Sequence, residues 1–221
     1  MDEREESVKS QEEKIRVVLF DFGGVLAEEG WKNGWMAIAD ANGIDGEKFV
    51  EEAADMAYET GYLLGKGTWP GFWKVLQEKT DIAGNAAESY QMIFSGFILR
   101  KSMINCVRKL KARGLSVAIL SDQIEMLDAL NARDDFFKEF DHVFNSYHLG
   151  KGKRDASLFD DIARRLNSAP GAIAFVDDSP GHVERARQKG MKAILYTESK
   201  TFCRQMQELG LFKGSEAGKS S

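Results

Sequence analysis

The sequence is poor in cysteine and histidine, and it lacks a long apolar run and a basic cluster. Its two cysteines, Cys106 and Cys203, stand far apart and without metal-ligand spacing, so they read as free thiols of a reducing compartment. The three histidines, His142, His148 and His182, are scattered and give no zinc-type pattern. His182 is expected to be an ordinary helix-start residue, with substrate contact as the alternative. No apolar stretch reaches the roughly 18 residues of a membrane span. The N-terminal MDEREESVKSQEEK has neither the basic start nor the apolar stretch of a secretory leader, so a cytoplasmic protein is expected. A formal net charge of -5, with no basic stretch interleaved with aromatics, argues against nucleic acid as a partner.

What is present suffices for one large core with an insert. The 221 residues are 43% hydrophobic, enough to bury a sizeable interior. Residues 1–13 are almost purely polar and 213–221 are rich in Gly, Ser and Lys, so both ends are expected to be disordered. Between them, Ile15–Phe20 is a short, β-branched apolar run that suits a buried parallel strand. Similar runs follow at Leu115–Leu120, Val143–Phe144, Ile173–Val176 and Ala193–Tyr196. Met103, Ile104, Val107 and Leu110 form one helix face that stops at Gly114. Leu158, Phe159, Ile162 and Leu166 form another, and a third helix over Val183–Lys189 ends at Gly190. Alternation of strands and helices predicts an α/β fold, a doubly wound parallel sheet. The stretch 28–96 breaks the rhythm with helical patterning. The core is therefore assigned to 14–27 and 97–212, with a small helical cap between. The cap holds all four tryptophans, as the i,i+4 pairs Trp31/Trp35 and Trp69/Trp73. Their reading as the cap's own core is preferred to a substrate pocket.

Ligands of open α/β sheets bind at the carboxyl ends of the strands. There the sequence places Asp21, then Ser121-Asp122, then Asp177-Asp178, and beside them the segment Leu149-Gly150-Lys151-Gly152-Lys153-Arg154-Asp155. Alone, each is a common turn or cap residue. Together they are complementary. Crowded carboxylates need a cation, carboxylate oxygens suit Mg²⁺, and Mg²⁺ also binds substrate phosphate. A lysine and a serine hydroxyl remain to hold phosphate oxygens.

The order of these segments resembles the haloacid dehalogenase-like hydrolase superfamily, in its branch with a helical cap after the first motif. Asp21-Phe22-Gly23-Gly24-Val25-Leu26 resembles the first motif, Leu120-Ser121-Asp122 the second, Lys153 within LGKGKRD the third, and Phe175-Val176-Asp177-Asp178-Ser179 the fourth. The resemblance spans Arg16 to Tyr196. It implies that Asp21 is a nucleophile forming an aspartyl-phosphate, with Ser121 and Lys153 binding phosphoryl oxygens. It further implies that Mg²⁺ is held by Asp21, the Gly23 carbonyl and Asp178, with Asp177 in a supporting contact. Gly23, Gly24 and Asp122 would border the substrate.

Three departures stand out. Phosphatases of the superfamily usually carry a second Asp two residues after the nucleophile, to protonate the leaving oxygen and later activate water; here Gly23 occupies that place. Glu28, Glu29 and Asp122 are candidate substitutes, each expected to be a solvated surface carboxylate instead. Arg154 follows Lys153 where Pro is frequent, and Lys151 competes with Lys153, which the register of the following helix favours. Asp122 stands where Asn is common. The resulting expectation is a Mg²⁺-dependent phosphatase of a small phosphorylated metabolite, monomer or homodimer. A dehalogenase on the same scaffold and a low-turnover phosphate-binding regulatory protein remain as alternatives.

Overall fold

The computed structural model describes residues 13–212, so the expectations for both chain ends fall, but for residue 13, outside the described residues. The chain enters through strand β1 (Val17–Phe20) and then builds four helices, α1 (Gly30–Ala41), α2 (Gly46–Glu59), α3 (Trp69–Lys79) and α4 (Ala86–Gly96). It returns through α5 (Lys101–Ala112), β2 (Ser116–Ser121), α6 (Met126–Asp134), β3 (His142–Asn145), α7 (Ser146–Leu149) and α8 (Ser157–Arg165). It finishes with β4 (Ile173–Asp177), α9 (Pro180–Gln188), β5 (Lys192–Leu195) and α10 (Ser199–Glu208).

The five strands form one parallel sheet in the order β3-β2-β1-β4-β5. Side chains alternate along each strand and feed two layers. Val17, Leu19, Ala118, Leu120, Ile173 and Phe175 pack with Leu158, Phe159 and Ile162 of α8 and Val183 of α9. Val18, Phe20, Val117, Ile119, Ala174 and Val176 face α5 and α10 through residues such as Val107, Leu110, Phe202 and Met206. This two-sided burial explains why the strands read as unbroken apolar runs. The order reverses between β1 and β4, so the carboxyl ends of these two strands flank the crevice where such sheets bind ligands.

The four helices between β1 and α5 are packed around Trp35, whose ring is fully buried. It stacks on Trp69 and Trp73 at centroid distances of 5.7 and 6.2 Å and meets Phe49 edge-on at 5.5 Å. Such pairs add about 0.5–1.5 kcal/mol each beyond the area they bury. Helices α1 and α4 touch backbone to side chain: a Cβ on Gly34 would lie 2.5 Å from Ile93. Two adjacent linkers join this cap to the sheet. Glu28 N–H donates to Ile98 O and Arg100 N–H to Leu26 O, each at 2.9 Å. The cap core runs into the sheet's core through Phe22, which stacks on Phe136 at 5.0 Å and lies against Phe97 at 5.7 Å.

Candidate active site

Asp21 is the first residue beyond β1, buried beneath the cap. Its Oδ1 accepts the N–H of Phe22 at 2.7 Å and lies 2.9 Å from Lys153 Nζ. Its Oδ2 takes no hydrogen bond among the described residues, so one oxygen is held and the other is available as a nucleophile. Lys153 is fully buried, and its Nζ also donates to Asp177 Oδ2 at 2.6 Å. Lys151, the competing lysine, instead bonds Ser157 Oγ at 2.8 Å and Asp161 at 2.6 Å. The structure therefore brings Lys153, not Lys151, to Asp21.

Asp177 ends β4 and is spent on protein donors. Besides Lys153, its Oδ1 accepts Ser179 N–H at 2.8 Å and faces His182 Nδ1 at 3.3 Å. Burial opposes its ionisation, yet Lys153 and His182 hold its carboxyl below the usual range. Among the described residues, Asp178 has no such side-chain partners. Its carboxylate leans over Gly24, where a Cβ would lie 1.9 Å from Asp178 Oδ2, and Gly24 has a φ of +73° that favours glycine. The close turn of the first motif thus makes room for Asp178.

Oxygens of Asp21, Asp177 and Asp178 all lie within 4.8 Å of one another. Burial pushes Asp21 well above the ordinary carboxylate range; Lys153 pulls it back, while Asp177 and Asp178 push it further up. Asp178 is raised by burial and then by the charge of Asp177. Lys153 is pulled down by burial but driven up overall by Asp177 and Asp21. One ammonium does not neutralise three clustered carboxylates. This oxygen-rich, charge-deficient cradle fits a hard divalent cation such as Mg²⁺. Asp21, Asp178 and the Gly23 carbonyl are the groups that would hold it.

A cavity of about 390 Å³ opens above these groups, a volume suited to a small metabolite. Asp21, Gly23, Ser121, Asp122 and His182 line it, and so do Glu29, Trp31, Tyr58, Arg154 and Arg185. A larger hollow of about 710 Å³ near Phe97, Arg108 and Arg133 contains none of the residues above. Of the four tryptophans, Trp35, Trp69 and Trp73 are buried in the cap, and Trp31 lines the cavity.

The three candidate carboxylates separate. Glu28 is exposed and paired with Arg100 at 2.9 Å, as expected of a surface group. Glu29 is half-buried, which corrects the expectation of a solvated side chain. As the N-cap of α1 its Oε1 accepts Lys32 N–H at 3.2 Å, and its Oε2 points at the space left by Gly23, 2.9 Å from where a Cβ there would be. Burial first, and then the charge of Asp178, raise its carboxyl. Asp122 is also not solvated. It accepts the Lys153 N–H at 2.9 and 3.0 Å and the phenol of Tyr58 from α2, so it fixes the lysine segment. Tyr58 and Arg185 were not legible as site residues, and Glu29 was named only as a candidate expected to be solvated: their places depend on which way α2, α9 and the start of α1 face.

A haloacid dehalogenase-like hydrolase family model matches residues 15–190, which is most of the chain and includes every motif above. The chain belongs to this family. Bifunctional epoxide hydrolase 2 of Sus scrofa is 22% identical over 215 residues, covering 88% of this chain, which spans only 39% of that relative's length. Among solved structures, a HAD family enzyme from Bacteroides thetaiotaomicron in complex with magnesium and inorganic phosphate superimposes with a TM-score of 0.64 at 17% identity, covering 83% of this chain and 94% of that one. L-2-haloacid dehalogenase from Xanthobacter autotrophicus, with chloropropionic acid covalently bound, gives 0.59 at 20% identity, covering 88% and 83%. The fold is thus shared by family members of different chemistry, and only the residues of the site can separate them.

Proposed function

We propose that the protein is a Mg²⁺-dependent phosphatase acting on a small phosphorylated molecule. The observation that carries this reading is the cluster of Asp21, Asp177 and Asp178 within 4.8 Å, with Lys153 Nζ 2.9 Å from the nucleophile. A dehalogenase attacking carbon has no need of so dense a set of carboxylates; an anionic phosphate brought to them does need a cation. The phosphate complex of the Bacteroides relative agrees with this choice.

When bound, Mg²⁺ would offset the charge of the incoming phosphate. Lys153 and Ser121 hold phosphoryl oxygens. Asp21 Oδ2 attacks phosphorus, and the bond from phosphorus to the leaving oxygen breaks. Glu29, placed where the usual second Asp would project, gives the leaving oxygen its proton. It then takes a proton from the water that attacks phosphorus, which releases phosphate and frees Asp21. Asp177 acts by positioning Lys153. The cap walls the reaction from bulk water.

The test is hydrolysis of an aryl phosphate with and without Mg²⁺, for the native chain and for Asp21→Asn. Metal-dependent turnover that the variant loses supports the reading. Halide release from a 2-haloacid with no phosphate release would replace it with the dehalogenase.

A further inference from the structure

Most cations of the site have partners. Lys153 lies between Asp21 and Asp177 at 2.9 and 2.6 Å. Arg154 pairs with Asp55 at 2.7 Å and lies over the Tyr58 ring at 4.2 Å. His182 faces Asp177 at 3.3 Å. Arg185 differs. It is half-buried, it lines the cavity, and it makes no hydrogen bond or ion pair with any described residue. Its helix offers none, because the residues three and four positions away are Gly181, His182, Gln188 and Lys189. The guanidinium folds back along its own helix over Gly181, where a Cβ would meet Arg185 Nη1 at 3.2 Å.

A half-buried guanidinium that lines a pocket and pairs with none of the carboxylates there is a donor fork open to an incoming anion. The phosphoryl group cannot be its main partner, since Lys153 and Ser121 already serve that place. The apolar wall of Trp31, Ala54, Ala57 and Leu63 lies between cap and core in the same cavity, so a substrate spanning it has a short organic middle. Resting on the phosphatase reading, we infer that the substrate is a phosphomonoester with a second anionic group, a carboxylate or a second phosphate. Arg185 binds that distal group, with His182 and Arg154 beside it.

Matched ester pairs test this: 2-phosphoglycolate against ethyl phosphate, and propane-1,3-diol bisphosphate against propyl phosphate, with an aryl phosphate as reference. The charged member of at least one pair is expected to exceed its neutral partner in kcat/KM by about 10- to 100-fold, mainly through KM. Which pair shows it identifies the anion. In Arg185→Gln the ratio should fall to near one, and Arg185→Lys should recover part of it. Equal values within both pairs, while the neutral esters turn over, would overturn the second subsite and leave the phosphatase standing. A ratio that survives Arg185→Gln would overturn the role of Arg185. No turnover of any ester, the aryl phosphate included, would remove the phosphatase reading and this inference together.

Discussion

Glu29 Oε2 lies 2.9 Å from the point where Gly23 would carry its Cβ. A side chain at residue 23 and Glu29 in its present pose exclude each other. On the proposed reading, Glu29, at the N-cap of the first cap helix, therefore makes the proton transfers that an Asp at position 23 would perform. Glu29→Gln is expected to slow hydrolysis of alkyl phosphates by about 10²–10⁴-fold. An aryl phosphate with a good leaving group, which needs little protonation to depart, should lose much less. The slope of log kcat/KM against leaving-group pKa, steeper in the variant, is the measurement. Gly23→Asp alone should impair the enzyme by displacing Glu29, and Gly23→Asp with Glu29→Ala should recover turnover.

Lys153→Met should abolish turnover and destabilise the fold by about 3–5 kcal/mol in urea titration, since it leaves buried carboxylates unpaired. The pH dependence has a definite sign. The depressed carboxyl of Asp177 contributes stability above its unfolded pKa of about 3.9 and loses it as pH falls toward its lower folded value. The raised ammonium of Lys153 contributes below about 10.4 and fades as pH rises beyond. Between those limits the cost of Lys153→Met should grow with pH, because the Asp21 carboxyl, already raised by burial, is harder still to ionise without the ammonium beside it.

Tyr58→Phe removes the phenol that α2 gives to Asp122. Loss of a hydrogen bond to a carboxylate should cost about 1–3 kcal/mol. Faster amide exchange in α2 and in the Gly152–Arg154 segment, out of proportion to the rest of the chain, is the expected signature.

Burial, and then neighbouring Cys203, push the Cys106 thiol up to about 12. Because the thiolate is the reactive form, Cys106 should resist a disulfide reagent at pH 8. Cys203→Ser should thus leave the folded chain almost unlabelled, and labelling should return in denaturant.

The sheet was legible because its strands are buried on both faces and so appear as apolar runs; the observed limits shift by only one or two residues, as where Ile15–Phe20 becomes Val17–Phe20. Helix α6 gave little pattern, since the buried Met126, Leu127 and Leu130 sit among Asp and Asn without a clean stripe. Phe202 and Met206 of α10 stand four apart and could have been found. In the site, residues at strand ends were found from topology alone, because the strand fixes where Asp21, Ser121 and Asp177 emerge. Of the cap residues, Tyr58 was not, and Glu29 was named only as one of three candidates, each expected to be solvated. Glu29 and Glu28 are neighbours in sequence with equal chemistry, and only the direction of α1 sends one to the cavity and the other to Arg100.

The contact of Tyr58 with Asp122 has a consequence for how such enzymes are re-engineered. Asp122 grips the backbone of Lys153, so a cap side chain helps hold the lysine that faces Asp21. Grafting a relative's cap onto this core would exchange more than a recognition surface. Without a phenol at the Tyr58 position, a chimera would inherit new selectivity and a loosened lysine in one step, so recognition and competence would have to be transplanted as a pair.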